Sequence, residues 1–401
     1  MNILQVNYAD LPGRIFNGYD LNISLRKDGY SASQAVVNKY SDKEWVIKLQ
    51  TDPFIQHKLM YLEKKYAMSN LLSINGILLE QEACFQKADV VHYQVIHNDM
   101  LSVLDMPRLS AKKKSVWTIH DPWIVTGNCV HPLDCDKWMT GCGDCHRLDY
   151  PGFCMLEDRT TQMWNVKKKI VEELDIDIVV SSEFMYRYMT KSPITSSIHK
   201  IHKIPFGVQT EVFKNDRQYI RKQYGFSKDD FIVGFRSDKS FIKGTSFILQ
   251  AFENVTHDEE ITFITVGKES VPEKMKQQYP FIQFGWGDRA QMVDFYNLCD
   301  VFIMPSLAES FGMMAIEAMA AGCAVICFQN TVLEELVFAP DIGIAVPYKS
   351  ANSLYKAAMH LCRNREECKQ RGLLGQKIVE KTYSFEKYVK AHENLYHSIM
   401  D

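Results

Sequence analysis

SLAESFGMMAIEAMAAG, residues 306–322, carries two glutamates eight positions apart, Glu309 and Glu317. The segment before it, VFIMPS at 301–306, is short and almost wholly apolar, which predicts a buried strand. MMAIEAMAA at 313–321 contains only good or tolerable helix formers, which predicts a helix. The stretch is therefore a strand–loop–helix unit, and ligands of parallel sheets bind where such strands end.

The start of this predicted helix is suited to a pyrophosphate. A helix N-terminus presents unpaired backbone N–H groups and partial positive charge, which attract anions. We expect four residues to form this donor-binding end, with Gly312 allowing the backbone to approach a ligand closely: Ser310, Phe311, Gly312 and Met313.

The two glutamates would act on either side of that anion. Glu317 lies about one turn into the helix, where its carboxylate can accept two hydrogen bonds from a ribose diol. Glu309, in the preceding loop, would reach the hydroxyls of a sugar beyond the phosphates. The alternative is that both are solvated surface charges. The apolar segment IEAMAAGCAVI at 316–326 argues against it, because a carboxylate on a buried face needs a partner.

Composition restricts the classes of protein to consider. The chain has 401 residues, of which 46% are hydrophobic and 24% charged, as in a globular protein of two or more domains. Its net charge of −3 gives no basic excess, so we expect no nucleic-acid partner. No signal peptide is evident in MNILQVNYAD, and the longest apolar run, 316–328, is too short to span a bilayer. We therefore expect an intracellular protein.

Strand-like and helix-like segments alternate along nearly the whole chain. This alternation predicts an α/β protein with two parallel, doubly wound, Rossmann-like sheets. The predicted strands form two series: 1–8, 89–96, 114–120, 177–182 and 200–207, then 231–237, 261–267, 281–286, 301–306 and 324–329.

A domain boundary is expected in IPFGVQTEVF, residues 204–213, where Pro and Gly predict a turn. We accordingly predict an acceptor-binding domain over 1–205 and a donor-binding domain over 206–382. The amphipathic tail over 383–401 predicts a C-terminal helix that packs back on the first domain.

The opening stretch also resembles a known motif. PSLAESFGMMAIEAMAAGCAVI is similar to the Glu-x7-Glu signature of retaining glycosyltransferases of family 4, which have the GT-B fold of two such domains facing across a cleft. Other segments match the family in order: 88–97, 116–129, 204–213, 241–252 and 299–310. The Cys-rich stretch after His120 resembles a subgroup found in capsule, exopolysaccharide and O-antigen biosynthesis.

The resemblance implies a catalytic group of His120, Arg236, Lys243 and Glu309. The two cations would clamp the donor diphosphate, as a leaving diphosphate requires positive charge. FRSDKSFIKG carries about two residues more than the family spacing, so Lys239 competes with Lys243, which is favoured because a Gly and a predicted helix follow it.

Further roles follow from the same resemblance. His120 would lie near the anomeric carbon, and Gly13 and Gly18 would let the first loop approach the donor phosphate. Glu335 matches an acid near the donor, although the glycine pair that usually precedes it is absent. No protein nucleophile and no cofactor for catalysis are expected, because the donor phosphate would take the acceptor proton in a front-face transfer.

The implied partners are a UDP- or GDP-sugar donor and a saccharide or lipid-linked saccharide acceptor, used in the cytoplasm to build a surface polysaccharide. Two basic runs, AKKK at 111–114 and VKKK at 166–169, predict solvated surfaces or, alternatively, contact with an anionic membrane. A GT-B epimerase, a phosphorylase and a non-catalytic sugar-nucleotide-binding subunit remain alternatives.

Four of the eleven cysteines crowd into 129–145, which in an intracellular chain indicates a metal before disulfides. Structural zinc, reduced thiols and disulfides all remain open for Cys129, Cys135, Cys142 and Cys145. Cys368 shows no role in its charged helical surroundings. The other six lie among apolar neighbours and are expected to be buried: Cys84, Cys154, Cys299, Cys323, Cys327 and Cys362.

Overall fold

The computed structural model describes residues 1–13, 15–149, 155–214, 217–253, 260–269 and 271–401, so the prediction for Cys154 lies outside the described residues. The chain divides into two compact units. The N-terminal unit comprises 1–205 with 389–401, and the C-terminal unit comprises 206–388.

A seven-stranded sheet forms the centre of the N-terminal unit, and all of its strands are parallel. The strand order is β3-β2-β1-β4-β5-β6-β7. The strands are β1 Asn2–Ala9, β2 Ser31–Asn38, β3 Val46–Lys48, β4 Val90–Tyr93, β5 Lys114–Ile119, β6 Asp177–Val180 and β7 Ile201–Lys203.

Helices connect these parallel strands, as crossover connections require. They are α1 Tyr19–Lys27, α2 Pro53–Lys65, α3 Asn75–Gln81, α4 Ala83–Lys87, α5 Met106–Ser110, α6 Thr160–Glu172 and α7 Glu183–Lys191. Short 3₁₀ turns lie at Ile15–Asn17, Val103–Asp105, Pro122–Val125, Lys137–Met139 and Pro193–Thr195.

The C-terminal unit contains a second parallel sheet, of six strands in the order β10-β9-β8-β11-β12-β13. Its strands are β8 Phe231–Ser237, β9 Ile261–Gly267, β10 Phe281–Phe284, β11 Val301–Met304, β12 Ala324–Phe328 and β13 Ile344–Val346. Its helices are α8 Thr210–Phe213, α9 Arg217–Gln223, α10 Thr245–Phe252, α11 Glu273–Gln278, α12 Arg289–Leu298, α13 Met313–Ala320, α14 Val332–Leu336, α15 Ala351–Arg363 and α16 Arg365–Thr382, with a 3₁₀ turn at Phe241–Lys243.

Helix α17, Phe385–Ser398, begins in the C-terminal unit, and its residues from Val389 onward belong to the N-terminal unit. Within that unit the hydroxyl of Tyr396 lies 2.6 Å from Nδ1 of His92 on β4. Tyr396 and the inward side of α17 are therefore buried within the N-terminal unit.

The two sheets confirm the predicted doubly wound α/β architecture. Both strand orders reverse direction once, between β1 and β4 in one sheet and between β8 and β11 in the other. Ligands of such sheets bind at the carboxyl ends of the strands beside this switch point. The central strands are buried on both faces, as their near-continuous apolar sequences predict.

The sequence missed three strands, β2, β3 and β13. SASQAVVN in β2 contains three polar residues before its apolar end, so neither an alternating nor a continuous apolar pattern was evident. Strands β3 and β13 have three residues each and form only because a neighbouring strand supplies hydrogen-bond partners.

One prediction of a buried cysteine was wrong, and Cys368, for which no burial was predicted, is buried. Cys368 is 5% exposed, with its thiol 3.6 Å from the carbonyl oxygen of Asp300, because α16 turns this residue toward the core. Cys84 is partly exposed rather than buried. The predicted burial is confirmed for Cys299, Cys323, Cys327 and Cys362.

None of the described helices combines the length and apolar character needed to cross a membrane.

Candidate active site

A small cavity lies at the switch point of the C-terminal sheet, at the carboxyl ends of β8 and β11. It is lined by residues from β8, from the 3₁₀ turn after it, from β11 and the loop after it, and from α13: Arg236, Lys243, Ile303, Met304, Pro305, Ser306, Glu309 and Met314. Three residues predicted from sequence, Arg236, Lys243 and Glu309, are thus brought together here.

Lys243 and Glu309 form an ion pair in this cavity. Nζ of Lys243 lies 2.6 Å from Oε1 of Glu309, and their side chains are 24% and 15% exposed. The hydroxyl of Ser306 donates a second hydrogen bond to the same Oε1, at 3.0 Å. Half-buried opposite charges of this kind interact more strongly than exposed pairs, because less water screens them.

Gly244 explains how Lys243 reaches this position. Its φ of 72° lies in the left-handed region, and a Cβ built there would lie 1.9 Å from the carbonyl oxygen of Pro305. Only glycine therefore allows the turn after β8 to pack against the loop after β11. Lys239, the competing candidate, is exposed and does not line the cavity.

Arg236 is the penultimate residue of β8 and lies at the same edge. Its guanidinium forms an ion pair with Asp238 and lies 4.9 Å from the ring centroid of Trp286, a cation–π distance. Its Nε is buried and has no hydrogen-bond partner among the described residues. The side chain therefore keeps donor capacity for an anion.

Helix α13 begins at Met313, and Gly312 stands at its N-cap position with φ 147°. A Cβ on Gly312 would lie 2.4 Å from a methyl group of Leu333, so this position also requires glycine. Phe311 is buried, with its ring edge-on to Phe206 at 5.4 Å. The predicted anion-binding residues thus occupy the start of the helix, as the sequence indicated.

Glu317 is half-buried on α13, and its Oε2 accepts a hydrogen bond of 2.9 Å from the hydroxyl of Tyr296. The pKa of Tyr296 is raised well above its usual value, mainly by burial and also by the negative charge of Glu317. The phenol therefore stays protonated and donates the hydrogen bond. Sequence reasoning missed Tyr296, which α12 carries and whose side chain is buried. No local pattern connects it with α13.

Glu335, the more loosely matched acid, lies on α14 and is half-buried. Burial, and then the Glu335 carboxylate, raises the pKa of Tyr383. The residue does not line the small cavity.

In the N-terminal unit, β5 ends at Ile119, one residue before the predicted strand end, so His120 directly follows the strand. Its Nε2 lies 2.8 Å from Oε1 of Gln94. Burial lowers the pKa of His120 to about 3, so the imidazole is neutral near neutral pH. A neutral imidazole forms hydrogen bonds with hydroxyl groups without adding a charge.

Behind His120 lies a buried polar network. Nε2 of Gln94 donates to Oε1 of Gln5 at 2.8 Å, and Nε2 of Gln5 donates to the hydroxyl of Tyr396 at 3.1 Å. That hydroxyl also contacts His92, whose pKa burial lowers well below its usual value. Sequence reasoning missed the network, and the one available signal was Gln5 in the middle of strand β1.

Gly13 and Gly18 lie in the loop between β1 and α1, with φ of 73° and 77°. A Cβ on Gly18 would lie 2.6 Å from Oε1 of Gln5, whereas one on Gly13 would meet open space. The N–H of Gly13 donates to Asp20 at 3.2 Å. Gly18 therefore allows the loop to pack on the buried network.

The four clustered cysteines line one pocket, together with residues such as Trp138 and Thr160. The backbone N–H of Gly127 donates to the Cys142 thiol at 3.2 Å. Burial raises the pKa of Cys129 to about 11 and also raises that of Cys142, which favours the thiol form. Among the residues that the structure describes, no three Cys, His, Asp or Glu side chains are arranged to hold a metal ion.

Zinc therefore remains a prediction based on ligand chemistry alone, because thiolates are ligands that zinc prefers. The measurement is metal analysis of the purified protein, where less than about half an equivalent of zinc would contradict the prediction.

One of the three lysines in the basic run 166–169 is not solvated, contrary to the prediction for that run. Lys167 is fully buried, with Nζ 2.6 Å from the carbonyl oxygen of Trp123, 3.0 Å from that of Thr126 and 3.7 Å from the Trp123 ring centroid. Burial lowers its pKa to about 7. The amphipathic pattern of α6 places this one lysine of VKKK on the inward face.

The other run is largely occupied in ion pairs and hydrogen bonds. Lys112 forms an ion pair with Glu80, and Lys113 donates to the carbonyl oxygens of Gln86 and Ala88 at 2.7 and 3.0 Å. Two of the three lysines in this run therefore have partners within the N-terminal unit.

The match to a known family lies in the C-terminal unit. Residues 216–377 match the family model for glycosyl transferases group 1. These residues include the cavity, both glutamates and the start of α13.

Curated relatives carry related names. The putative colanic acid biosynthesis glycosyl transferase WcaC of Escherichia coli is 24% identical over 267 residues, which is 62% of this chain and 62% of that protein. The lipopolysaccharide 1,2-N-acetylglucosaminetransferase of Salmonella typhimurium is 28% identical over 193 residues, 44% of this chain and 50% of that protein. The chain thus matches between half and two thirds of the length of these relatives.

Solved structures confirm the GT-B fold. Sucrose-phosphate synthase from Thermosynechococcus elongatus has a TM-score of 0.71 at 18% identity, covering 99% of this chain and 98% of that one. Anabaena HepE in complex with UDP has a TM-score of 0.66 at 14% identity, and the match covers 99% of this chain and 100% of the HepE chain.

Proposed function

We propose that this protein is a retaining glycosyltransferase of family 4 that transfers a hexose from a nucleotide-diphosphate sugar to a saccharide or lipid-linked saccharide. The observation that carries the proposal is the meeting of Lys243, Glu309 and Arg236 at the switch point of the C-terminal sheet. The match of the same region to glycosyl transferases group 1 supports it.

In this proposal the cations act on the leaving group. The bond between the sugar C1 and the β-phosphate oxygen breaks, and the diphosphate gains negative charge. Arg236 and Lys243 would neutralise that charge, together with the backbone N–H groups at the start of α13. Electrostatic stabilisation of this kind needs no metal ion and no protein nucleophile.

The carboxylates hold the two ends of the donor. Glu317, oriented by Tyr296, would accept hydrogen bonds from the ribose, and Glu309 would accept them from hydroxyls of the transferred sugar. The acceptor oxygen bonds to C1 on the face that the phosphate leaves, and its proton passes to the departing phosphate oxygen. Configuration at C1 is therefore retained.

The N-terminal unit would bind the acceptor and contribute His120, whose neutral imidazole suits a hydrogen bond to a sugar hydroxyl. A uridine donor is supported by the complex of Anabaena HepE with UDP, and a role in surface polysaccharide synthesis by the names of the curated relatives. GDP-sugars remain the second class of donor to test.

The experiment is incubation of the full chain with a panel of UDP- and GDP-sugars, with and without saccharide and lipid-linked acceptors. Transfer or slow donor hydrolysis, with the anomeric configuration of the product established by NMR, is the expected result. An inverted product would contradict the retaining mechanism. Release of a free epimer would favour the epimerase, and binding without turnover would favour the non-catalytic subunit.

A further inference from the structure

Helix α2, Pro53–Lys65 in the N-terminal unit, buries a charged side chain and exposes large apolar ones, the reverse of an ordinary surface helix. Its one buried residue is an acid, Glu63, whose Oε1 accepts hydrogen bonds from the N–H groups of Leu71 and Leu72 at 2.8 and 2.6 Å. A surface helix normally buries its apolar stripe and exposes its charges. Here the carboxylate holds the helix in place and the apolar side chains point away.

The outward face carries several large apolar side chains. Phe54 is 69% exposed, Tyr61 58% and Ile55 44%. Three more large side chains on α2 or at its C-cap are also exposed: Met60, Leu62 and Tyr66. Isolated exposed apolar residues are common, but a contiguous group on one helix indicates a surface that is covered in use.

Cations are interleaved with these apolar residues. Phe54, Lys58, Tyr61 and Lys65 follow one another at spacings of four, three and four, which places them in a single stripe along the helix. Nζ of Lys58 lies 5.4 Å from the centroid of Phe54, and Nζ of Lys65 lies 5.5 Å from that of Tyr66. Because Glu63 is the only acid within α2 and is buried, all the charged side chains that the helix exposes are basic.

We propose that this face of α2, defined by Phe54, Ile55, Lys58, Tyr61, Leu62 and Lys65, docks on the surface of an anionic lipid bilayer. Aromatic rings favour the boundary between headgroups and acyl chains, and lysines beside them reach the phosphates. Charge complementarity therefore selects a negatively charged lipid surface as the occupant.

A second copy of the chain fits this face less well. A two-fold interface places the same patch on both sides, so lysines would meet lysines across it. A helix of this length spans only about 20 Å, which is short for the roughly 800 Å² per partner of a stable interface.

The test is co-sedimentation of the full chain with vesicles of phosphatidylglycerol and phosphatidylcholine in equal amounts, compared with phosphatidylcholine alone. Wild-type protein should sediment with the anionic vesicles and be released by high salt. The paired substitution Lys58→Glu with Lys65→Glu should weaken binding by roughly tenfold or more. The paired substitution Phe54→Ser with Tyr61→Ser should weaken vesicle binding to a similar degree. The remaining binding should stay more sensitive to salt than that of the lysine variant, because both lysines are still present.

Matched controls come from the C-terminal unit, where Leu374 and Lys369 are exposed on α16. Leu374→Ser and Lys369→Glu should bind vesicles as the wild type does, and thermal unfolding should show every variant folded. Equal binding to neutral vesicles, or unchanged binding by the α2 variants, overturns the proposal. Self-association in sedimentation velocity that the α2 variants abolish would also overturn it, in favour of a second copy.

Vesicle binding is measured without donor or acceptor. A protein that binds anionic vesicles but transfers no sugar would leave this inference standing and refute the proposed function. A protein that transfers sugar but does not bind anionic vesicles would refute this inference and leave the proposed function standing.

Discussion

The ammonium group of Lys243 lies 2.6 Å from Oε1 of Glu309, although the two residues are 66 positions apart in the chain. Gly244 makes the approach possible by removing the side chain that would otherwise clash with the loop after β11. In the proposed reaction this ion pair is a resting arrangement. A bound diphosphate would draw Lys243 toward the phosphates and leave Glu309 free to accept hydrogen bonds from the sugar.

Glu309→Gln tests this arrangement. The amide keeps the size of the side chain but loses its charge, so it attracts Lys243 and the sugar hydroxyls less strongly than the carboxylate does. We expect turnover to fall by about 10²–10³-fold, the range for removal of one electrostatic contact at a reacting centre. Glu366→Gln, an exposed acid on α16, is the control. Steady-state transfer at saturating donor measures both, and wild-type turnover in Glu309→Gln would refute the role.

Tyr296→Phe isolates the second acid. The substitution removes only the hydroxyl that donates to Glu317 at 2.9 Å. We expect donor affinity to fall about fivefold to tenfold, equivalent to the net loss of about one hydrogen bond. Isothermal titration with the nucleoside diphosphate gives the affinity.

Tyr279→Phe provides the matched control, because this buried tyrosine in the same unit donates to the carbonyl oxygen of Phe252 at 3.0 Å. It should lose stability to a similar extent while donor affinity stays unchanged. Equal donor affinities for the wild type and Tyr296→Phe would mean that Glu317 needs no orientation by Tyr296.

Gly244→Ala should destabilise the C-terminal unit. The left-handed φ of 72° alone costs an L-residue about 1–2 kcal/mol, and the close contact with Pro305 adds to it. Gly225→Ala is the matched control, since Gly225 has a φ of 81° but open space around its Cβ position. Chemical denaturation should therefore show a larger loss for Gly244→Ala, and equal losses would contradict the packing argument.

Gln94→Glu should change the protonation of His120. A carboxylate 2.8 Å from Nε2 favours the imidazolium, so the pKa of His120 should rise from about 3 toward its usual value. NMR titration of the His120 ring protons measures this directly. Transfer activity should develop a new decline on the acidic side of its pH profile, where the imidazole of the variant becomes charged.

The wild-type Gln94 already serves as the uncharged counterpart of Gln94→Glu. A second variant, Gln94→Leu, separates the effect of the added charge from the effect of losing the hydrogen bond to His120. That variant removes the hydrogen bond without supplying a carboxylate, so it should leave the pKa of His120 low. A raised pKa in both variants would show that packing, and not the charge at position 94, controls the imidazole.

His92 predicts how stability depends on pH. Burial lowers the pKa of His92 in the folded protein, whereas in the unfolded chain it is about 6.5. Below that pH the unfolded chain binds the extra proton, so the free energy of unfolding falls as pH falls, by up to about 1.4 kcal/mol per pH unit. His120, His392 and Tyr396 surround this ring, and the two histidines disfavour its charge.

His92→Gln removes one such titrating group while keeping hydrogen-bonding capacity toward Thr118 and Tyr396. Its unfolding free energy, measured by urea denaturation between about pH 6.5 and pH 5, should fall less steeply than that of the wild type. Parallel curves for the two proteins would show that His92 is not neutral in the folded state.

Sequence reasoning identified the strand–loop–helix unit at 301–321 and its two glutamates because every part of that unit is local. Strand and helix formers occupy separate segments, and Gly312 marks the turn between them. The two doubly wound sheets followed from the same alternation along the chain. Strands β3 and β13 could not be predicted, because three residues carry no period and depend on neighbours distant in sequence.

By itself, then, the sequence determined most of the strands, the alternation of strands with helices, and which side chains stand at the ends of those strands, since these depend on neighbours within a few positions. Only the tertiary structure decided that Tyr296 donates to Glu317, that Gln5, Gln94 and Tyr396 support His120, and that Lys167 is buried. These partners lie on separate elements. Their contacts exist only because burial makes an unpaired polar group costly, so packing selects partners that no local pattern specifies.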